Sequence, residues 1–322
     1  MCSPAQSYEM VTFVRLASWS PATLKASPIF ACPVCGAQLP RVDRVYRCTN
    51  GHSFDVAREG YVNLLLAQQK RSRDPGYNKA MMRARQRFFD TGHYQPLADG
   101  LAKLILRYLP SRGLGRLVLD AGCGEGYYLR RLGDALDDAS QDQVVRCGLD
   151  ISKHGLRLAA RRDPDGVYAV AGTYRMPVLP SRVDVLLTHF SPISADDFYR
   201  VVRPRGVILV GGPGEEHLYG LKRLLYATPE RTKPEDALSD EPGFELLAEH
   251  SIRYPLGIRG EGQVADLLAM TPFYWSVPAA VHDRIAALEQ LDTEVDVVVR
   301  AYRRRPSGEA RADTASPEQG RG

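Results

Sequence analysis

Short runs of apolar residues alternate with helical patterns from about residue 114 to residue 305. Five of these runs predict strands, at residues 117–122 (LVLDAG), 144–150 (VVRCGLD), 167–172 (VYAVAG), 183–190 (VDVLLTHF) and 206–212 (GVILVGG). Continuous apolar runs separated by helical patterns are typical of buried parallel strands in βαβ units. Two later runs, around FELLAEHSIRYPL and VDVVVRAYRR, predict a hairpin, with the helix QVADLLAM between them. The pattern predicts a doubly wound α/β sheet with its ligand crevice at the carboxyl ends of the strands.

The chain outside the predicted α/β domain (residues 111–305) divides into segments of different character. Residues 31–63 hold three of the six cysteines, and so short a segment normally needs a metal or a covalent cross-link to fold. Residues 64–110 are interpreted as a basic helical linker that contains the helix patterns KAMMRARQRFFD and GHYQPLADGLAKLILRYL. Residues 1–30 are expected to be a poorly ordered extension, and residues 306–322 a disordered tail.

Composition and charge narrow the class of protein. The 322 residues are 44% hydrophobic and 25% charged, which is typical of globular chains. No apolar run is long enough for a transmembrane helix, and we find no secretory signal, so a cytoplasmic protein is expected. Residues 1–110 hold 15 Lys and Arg against 7 Asp and Glu, whereas residues 111–322 hold 27 against 31. This asymmetry indicates that the front half meets a polyanion, the alternative being a solvated basic face.

Four side chains in residues 31–63 have the spacing of metal ligands. Cys32 and Cys35 form a C-x2-C pair, and Cys48 and His52 form a C-x3-H pair after a gap of twelve residues. Two such knuckles predict a tetrahedral zinc site with four protein ligands, which makes the zinc structural. A disulfide is disfavoured in an intracellular protein, and a redox-active cysteine pair does not account for the second knuckle.

A glycine-rich loop follows the first strand of the predicted α/β domain. Its pattern is D-x-G-x-G-x-G, formed by Asp120, Gly122, Gly124 and Gly126. Glycines let the backbone turn sharply and approach a ligand. A dinucleotide fingerprint would need a glycine at position 127, which is Tyr127, so an NAD site is the weaker interpretation. The spacing instead resembles the loop of class I S-adenosylmethionine (SAM) methyltransferases.

Two further features lie at predicted strand ends. Asp150 ends the second strand, where an acid can accept hydrogen bonds from both hydroxyls of a ribose, helix capping being the alternative. The fourth strand ends in His189, Phe190 and Ser191. In a methyltransferase, Phe190 could stack on a heteroaromatic acceptor and backbone carbonyls near Ser191 could accept from its amine. His189 could act as a general base, or could make an ordinary hydrogen bond.

The linear series of motifs resembles one family. The zinc knuckles are followed by EGYVNLL, KRSRDPG, MMRAR, GHYQPL, DAGCGEGYY, PGEEHL and MTPF, an order similar to that of the large-subunit (23S) ribosomal RNA guanine-N1 methyltransferases, the RlmA family, over residues 31–304. The resemblance implies a class I, Rossmann-like SAM methyltransferase sheet with a small N-terminal zinc-binding module. It also implies methylation of N1 of a guanine in a hairpin of large-subunit rRNA. Some members confer macrolide resistance.

The resemblance also implies roles for single residues. SAM contacts carry over to Tyr94, Gly124, Glu125 and His217, and zinc coordination to the two knuckles. The basic residues expected to track RNA phosphates are Lys70, Arg71, Arg73, Arg83, Arg85 and Arg87. In place of the family's usual Ala-Pro, Ser191-Pro192 follows Phe190. A methyltransferase for a small heteroaromatic metabolite, such as an indole, is therefore the alternative function, and a homodimer is left open.

Overall fold

The computed structural model describes residues 28–69, 78–111, 115–139 and 144–306. Within them, three short strands form an antiparallel sheet in the predicted zinc segment: β1 (Arg41–Val42), β2 (Val45–Arg47) and β3 (Ser53–Asp55). The proposed RNA contacts Lys70, Arg71 and Arg73 lie outside the described residues, as does residue 307 onward. In the part of the chain that is described, no helix is long and apolar enough to cross a membrane.

The main sheet has eight strands. They are β4 (Tyr61–Asn63), β5 (Arg116–Ala121), β6 (Val144–Asp150), β7 (Val167–Val170), β8 (Val183–His189), β9 (Val202–Pro213), β10 (Phe244–Arg259) and β11 (Gln290–Arg304). Their spatial order is β10-β11-β9-β8-β5-β6-β7-β4. Strands β4 to β9 pair in parallel, whereas β11 is antiparallel to both β9 and β10. The predicted fold class, an α/β sheet with a late hairpin, is confirmed.

Eight α-helices accompany the strands in the described ranges. They are α1 (Lys79–Asp90), α2 (Gln95–Tyr108), α3 (Tyr127–Asp138), α4 (Lys153–Arg162), α5 (Ala195–Val201), α6 (Tyr219–Leu225), α7 (Gln263–Ala269) and α8 (Ala279–Ala286). Two 3-10 helices span Ala67–Gln69 and Pro272–Trp275. The α1 helix begins where predicted because the Asn78 side chain accepts a hydrogen bond from the Met81 backbone N–H at 3.0 Å, the usual N-cap contact.

Strand β5 is the point where the order of the sheet reverses. Its neighbours are β6 on one side and β8 on the other, and the chain continues from β5 towards β6 but from β8 towards β9, in opposite directions along the sheet. In open α/β sheets this switch point forms the ligand crevice. The β9 strand starts at Val202, four residues before the predicted position. Its first residues are partly polar and contain a register shift against β8, and Arg205 has a φ of +66°. A bulge of this kind does not show in an apolar pattern.

The segment expected to be a linker packs into the α/β core. Helix α1 buries Phe88 and Phe89 and helix α2 buries Leu97 and Leu101, and these side chains belong to one core with Val118 of β5. Strand β4, expected within the zinc segment, forms the edge of the main sheet beside β7. The apolar positions of both helices are therefore explained by packing on the sheet.

The opposite face of the sheet is covered by the zinc segment. Phe30, Leu39 and Tyr46 form a second core with Leu119 and Leu149 of the central strands. Residues 28–30, expected to be poorly ordered, are part of this packing, and Phe30 forms an antiparallel bridge with Val178. The short zinc segment thus buries its apolar side chains against the sheet, which compensates for its size.

Candidate functional site

A cavity of about 460 Å³ lies at the carboxyl edge of the main sheet, a volume in the range of small-molecule and cofactor sites. Eight of the eleven residues that the sequence proposes for cofactor or acceptor line it: Tyr94, Gly122, Gly124, Asp150, His189, Phe190, Ser191 and His217. These residues come from five separate parts of the chain. The fold therefore brings together most of the predicted site.

The glycine loop (residues 120–126) needs its glycines for two physical reasons. Gly122, Gly124 and Gly126 have φ angles of +101°, +56° and +80°, a region that side chains disfavour. Space is also missing, because a Cβ on Gly122 would lie 1.8 Å from the Ser191 Oγ and one on Gly126 would lie 2.8 Å from the Ala159 Cβ. The loop after β8 therefore rests directly on the glycine loop.

Asp150 holds the glycine loop in place. One carboxylate oxygen accepts the Gly124 backbone N–H at 2.9 Å and the other accepts the Ser152 N–H at 2.7 Å. Burial raises the pKa of Asp150, and these two hydrogen bonds oppose the rise. Ser152, not Asp150, caps α4, since its hydroxyl accepts the Gly155 N–H. Asp150 also lines the cavity, so its contact with a ribose stays a prediction.

Two proposed cofactor residues lie behind the cavity wall. Asp120 is 2% exposed and Glu125 is wholly buried, and neither lines the cavity. Burial, followed by the charge of Asp150, raises the pKa of Asp120 to about 8. In the described part of the chain its Oδ2 has no hydrogen-bond partner. Asp120 therefore holds a proton at neutral pH in this structure. A contact of Asp120 or Glu125 with a cofactor stays a prediction.

Arg85 lines the cavity, although the sequence analysis predicted it to contact RNA phosphates. Its Nε lies 2.9 Å from the Glu125 Oε2, and its guanidinium lies 4.7 Å from the centroid of the Phe89 ring. Its charge lowers the pKa values of Asp120 and Asp150 against the effect of burial. The structure thus places the guanidinium of Arg85 in the cavity wall, beside three acidic side chains, not on the outer surface.

The position of Arg85 along the helix already indicates that its side chain faces the core. Met81, Met82, Phe88 and Phe89 lie three or four residues from it and are buried, so Arg85 shares the apolar face of α1. The other two arginines of the helix point elsewhere.

Arg83 is exposed, as expected for a phosphate contact. Arg87 pairs with Asp266 of α7 through two hydrogen bonds, of which the Nε to Oδ2 contact is 2.9 Å long. The three arginines of α1 therefore occupy three different environments.

His189 is an unsuitable general base at neutral pH. Its ring is 5% exposed, and burial, followed by the positive charges of Arg85 and His217, lowers its pKa to about 3. The imidazole is therefore neutral, and an efficient base would need a pKa near the working pH. Its ring packs edge-on against Tyr128, with centroids 5.1 Å apart.

Phe190 presents an aromatic ring at the mouth of the cavity. It is 44% exposed, and its backbone φ of +54° is unusual for a bulky residue. Its ring lies between those of His189 and His217, with centroid distances of 4.1 Å and 5.2 Å. Ser191 donates a hydrogen bond to the Gly122 carbonyl at 3.4 Å. Phe190 is thus a partly exposed aromatic ring in the cavity wall.

His217 and Tyr94 are buried in the cavity wall. The Nδ1 of His217 accepts the Asp296 backbone N–H at 3.2 Å, and burial lowers its pKa to about 4. The neutral ring therefore carries its proton on Nε2. Tyr94 packs edge-on against Phe88 and Phe89. Both side chains are fixed before a ligand enters.

Sequence reasoning missed the outer wall of the cavity. Lys222 of α6, Thr232 and Phe273 line it. Phe273 belongs to the MTPF motif, and Lys222 follows His217 by five residues on the same loop and helix. The MTPF motif and the closeness of Lys222 to His217 in the sequence could have indicated Phe273 and Lys222, but neither feature predicts what the side chains contact.

The four predicted zinc ligands come together. Their ligand atoms all lie within 4.8 Å of one another. The Sγ atoms of Cys35 and Cys48 are 3.8 Å apart, and the His52 Nδ1 is 3.4 Å from the Cys48 Sγ. Zn–S bonds of about 2.3 Å at tetrahedral angles separate two sulfurs by about 3.8 Å. The backbone N–H of Ala37 lowers the pKa of Cys35 to about 6. The residues fit a structural zinc ion.

The chain is similar to a known protein-family model and to solved structures. A family model for the N-terminal zinc ribbon of RlmA matches residues 30–73. Among solved structures, the YcgJ protein from Bacillus subtilis is similar with a TM-score of 0.43 and 14% identity, covering 64% of this chain and 98% of its own. A geranyl diphosphate methyltransferase is similar with a TM-score of 0.38 and 14% identity, covering 64% of this chain and 77% of its own.

Curated relatives match most of the chain. A protein of Micromonospora griseorubida that bears the name of a 23S rRNA guanine-N1 methyltransferase is 38% identical over 87% of this chain and 98% of its own length. The 23S rRNA (guanine(748)-N(1))-methyltransferase of Streptomyces fradiae is 35% identical over 80% of this chain and 90% of its own. A Bacillus subtilis relative with a 23S rRNA guanine-N1 methyltransferase name is 33% identical over 84% and 95%. The chain belongs to the 23S rRNA guanine-N1 methyltransferase family.

Proposed function

We propose that this protein transfers the methyl group of SAM to N1 of a guanine in 23S rRNA. The observation that carries the proposal is the end-to-end match to relatives of this name, which covers 98% of the Micromonospora griseorubida protein. The cavity at the switch point of the sheet supports it independently, because that is where such a fold binds its ligand.

The charge around the cavity fits SAM, which carries a positive sulfonium and a positive ammonium. Glu125 and Asp150 lie near the guanidinium of Arg85, and Asp120, which holds a proton in this structure, would release it when a cation binds. Opposite charges favour one another strongly where water is scarce. Gly122 and Gly124 allow close approach of the backbone, and Asp150 would meet the ribose. When bound, SAM supplies an electrophilic methyl group.

The guanine would be held by the loop after β8. The exposed ring of Phe190 provides the stacking surface, and the target base has to leave its own stack to reach it, at a cost of a few kcal/mol. His189 is neutral, so water takes the N1 proton in this proposal. Proximity and orientation of N1 to the methyl carbon supply most of the acceleration.

RNA binding would use basic side chains around the site. Arg83 is exposed on α1, and Lys70, Arg71 and Arg73 precede that helix in the sequence. We expect Arg71→Ala with Arg73→Ala to weaken RNA binding and to reduce its dependence on salt by about two ions. SAM affinity should be unchanged. An unchanged salt dependence would argue against phosphate contacts by these residues.

The decisive experiment is methyl transfer from labelled SAM to unmodified 23S rRNA, mapped by reverse-transcription stops. N1 methylation blocks Watson–Crick pairing, so a single new stop at a guanine identifies both the nucleotide and the atom. The Streptomyces fradiae relative is named for guanine 748, which is the first position to inspect. Wild-type protein without SAM is the control.

If no stop appears although calorimetry shows SAM binding, the rRNA proposal fails. A screen of small heteroaromatic acceptors would then be the next experiment. Growth of an expressing strain on macrolides tests whether methylation confers resistance, and cell fractionation tests the expected cytoplasmic location.

A further inference from the structure

Lys222 is a partly buried cation in the wall of the cavity. Its Nζ donates hydrogen bonds to the Thr232 hydroxyl at 2.6 Å and to the Glu230 carbonyl at 3.1 Å, and lies 5.8 Å from the centroid of the Phe273 ring. An ammonium has three N–H groups. Two of them are thus directed to neutral oxygens, which fixes the side chain and leaves a third for a ligand.

Within the described ranges, the charge of Lys222 has no carboxylate beside it, unlike the charge of Arg85. Among the described residues that line the cavity, these two carry a full positive charge. Arg85 is paired with Glu125, whereas the contacts of Lys222 are to a hydroxyl and a backbone carbonyl. Burial lowers the pKa of Lys222, against the more distant charge of Glu230. Holding this cation in the wall costs free energy, which an anionic ligand group would offset.

Lys222 and Phe190, the proposed acceptor contact, are both near His217 in the cavity wall. Lys222 is close enough to His217 for its charge to lower the pKa of that ring, and the His217 ring lies 5.2 Å from Phe190. The reacting end of SAM is positive, so a cation here does not attract it. The acceptor, however, becomes negative: when guanine loses its N1 proton, the charge spreads to O6.

We propose that the ammonium of Lys222 binds O6 of the target guanine and stabilises the negative charge that develops there. This inference rests on the proposed rRNA activity. The N1–H bond breaks with the proton passing to water, and its electron pair is shared between N1 and O6. N1 then forms the bond to the methyl carbon while the carbon–sulfur bond breaks, and that pair stays on sulfur, giving neutral S-adenosylhomocysteine. Preorganised donors of this kind act mainly on the transition state.

The test compares Lys222→Met with Lys222→Arg and with the control Arg223→Met, which alters the adjacent exposed residue of α6. Methionine keeps an unbranched stem against Phe273 but removes the charge. We expect Lys222→Met to lower kcat by about 100- to 1,000-fold, as loss of an oxyanion donor does. SAM affinity by calorimetry and rRNA affinity by filter binding should be unchanged, and Lys222→Arg should recover most of the rate.

The pH profile gives a signature that a structural role would not produce. Without the ammonium, N1 is harder to deprotonate, so the rate of Lys222→Met should keep rising at high pH after the wild-type rate has levelled off. Weaker SAM binding with normal kcat at saturation would instead assign Lys222 to the SAM carboxylate. A weaker rRNA affinity with a smaller salt dependence would assign it to a phosphate, and a wild-type rate would leave it structural.

Each of those three results overturns the O6 assignment. Wild-type protein is assayed in parallel on the same 23S rRNA. Absence of its reverse-transcription stop would defeat the proposed function itself, which is a different outcome from failure of the Lys222 variant.

Discussion

Replacing Arg85 with methionine removes the positive partner of a wholly buried carboxylate. The Glu125 side chain is 0% exposed and that of Arg85 is 15% exposed, so the carboxylate has the guanidinium and not water as its partner. Breaking a buried ion pair from one side costs about 3–5 kcal/mol, because the remaining charge has no compensation. Loss of the contact with the Phe89 ring adds about 0.5–1 kcal/mol. We expect this substitution to remove a large share of a typical domain stability of about 5–15 kcal/mol.

The chain offers a matched control on the same helix. Arg83→Met makes the same chemical change two residues away on the exposed side of α1, where a substitution shifts stability by no more than about 0.5 kcal/mol. A second control, Arg85→Met with Glu125→Leu, replaces both charges by apolar groups. Such double replacement of a buried pair is often neutral, so it should restore most of the loss.

Urea unfolding at pH 7, followed by circular dichroism without SAM, measures the effect. At a slope near 3 kcal/mol/M, a loss of 3–5 kcal/mol lowers the midpoint by about 1–1.7 M urea. The midpoint of Arg83→Met should stay at the wild-type value. If Arg85→Met and Arg83→Met have the same urea midpoint, and Arg85→Met instead weakens RNA binding, then Arg85 is a surface phosphate contact. The reasoning from burial would then be wrong.

Three further predictions concern the cavity and the zinc site. Asp120 holds a proton below about pH 8, and a bound cation favours its carboxylate. SAM affinity should therefore rise with pH up to about 8, and binding at pH 7 should release about one proton. Calorimetry in buffers of different ionisation enthalpy measures this proton release, which Asp120→Asn should abolish. Gly122→Ala should prevent SAM binding, since its Cβ would meet Ser191 at 1.8 Å, whereas Gly212→Ala, with nothing within 4 Å, should bind normally. Elemental analysis should find one zinc per chain, and a strong chelator should lower the melting temperature; an unchanged melting temperature after verified zinc loss would contradict a structural role.

Local patterns were sufficient to predict seven of the eight strands of the main sheet, β5 to β11, and the zinc ligands. Strand β6 spans the predicted residues 144–150, and helix α1 spans the predicted residues 79–90. Periodicity reports which side chains are buried, and this is enough to define a strand or an amphipathic helix. The zinc ligands were predictable because each knuckle is a short stretch of chain, whose spacing alone sets where the two side chains can point.

Partners distant in the sequence could not be predicted. Arg85 and Glu125 are 40 residues apart, and nothing local indicates that α1 lays its arginine over the glycine loop. Asp150 was expected to meet a ribose, yet its carboxylate also holds Gly124 and Ser152 in place. The basic appearance of residues 79–90 suggested RNA binding for all of its arginines, whereas their environments separate them.

The amino-acid sequence by itself determined where strands β5 to β11, the glycine loop and the metal-binding knuckles lie along the chain, because these depend on interactions within a few residues. Only the tertiary structure decided that β4 closes the edge of the main sheet beside β7, and that His189 is too buried to be a base at neutral pH. It also placed Lys222 in the wall of the cavity. The physical reason is that desolvation and charge depend on everything packed around a group, and those neighbours come from distant parts of the chain.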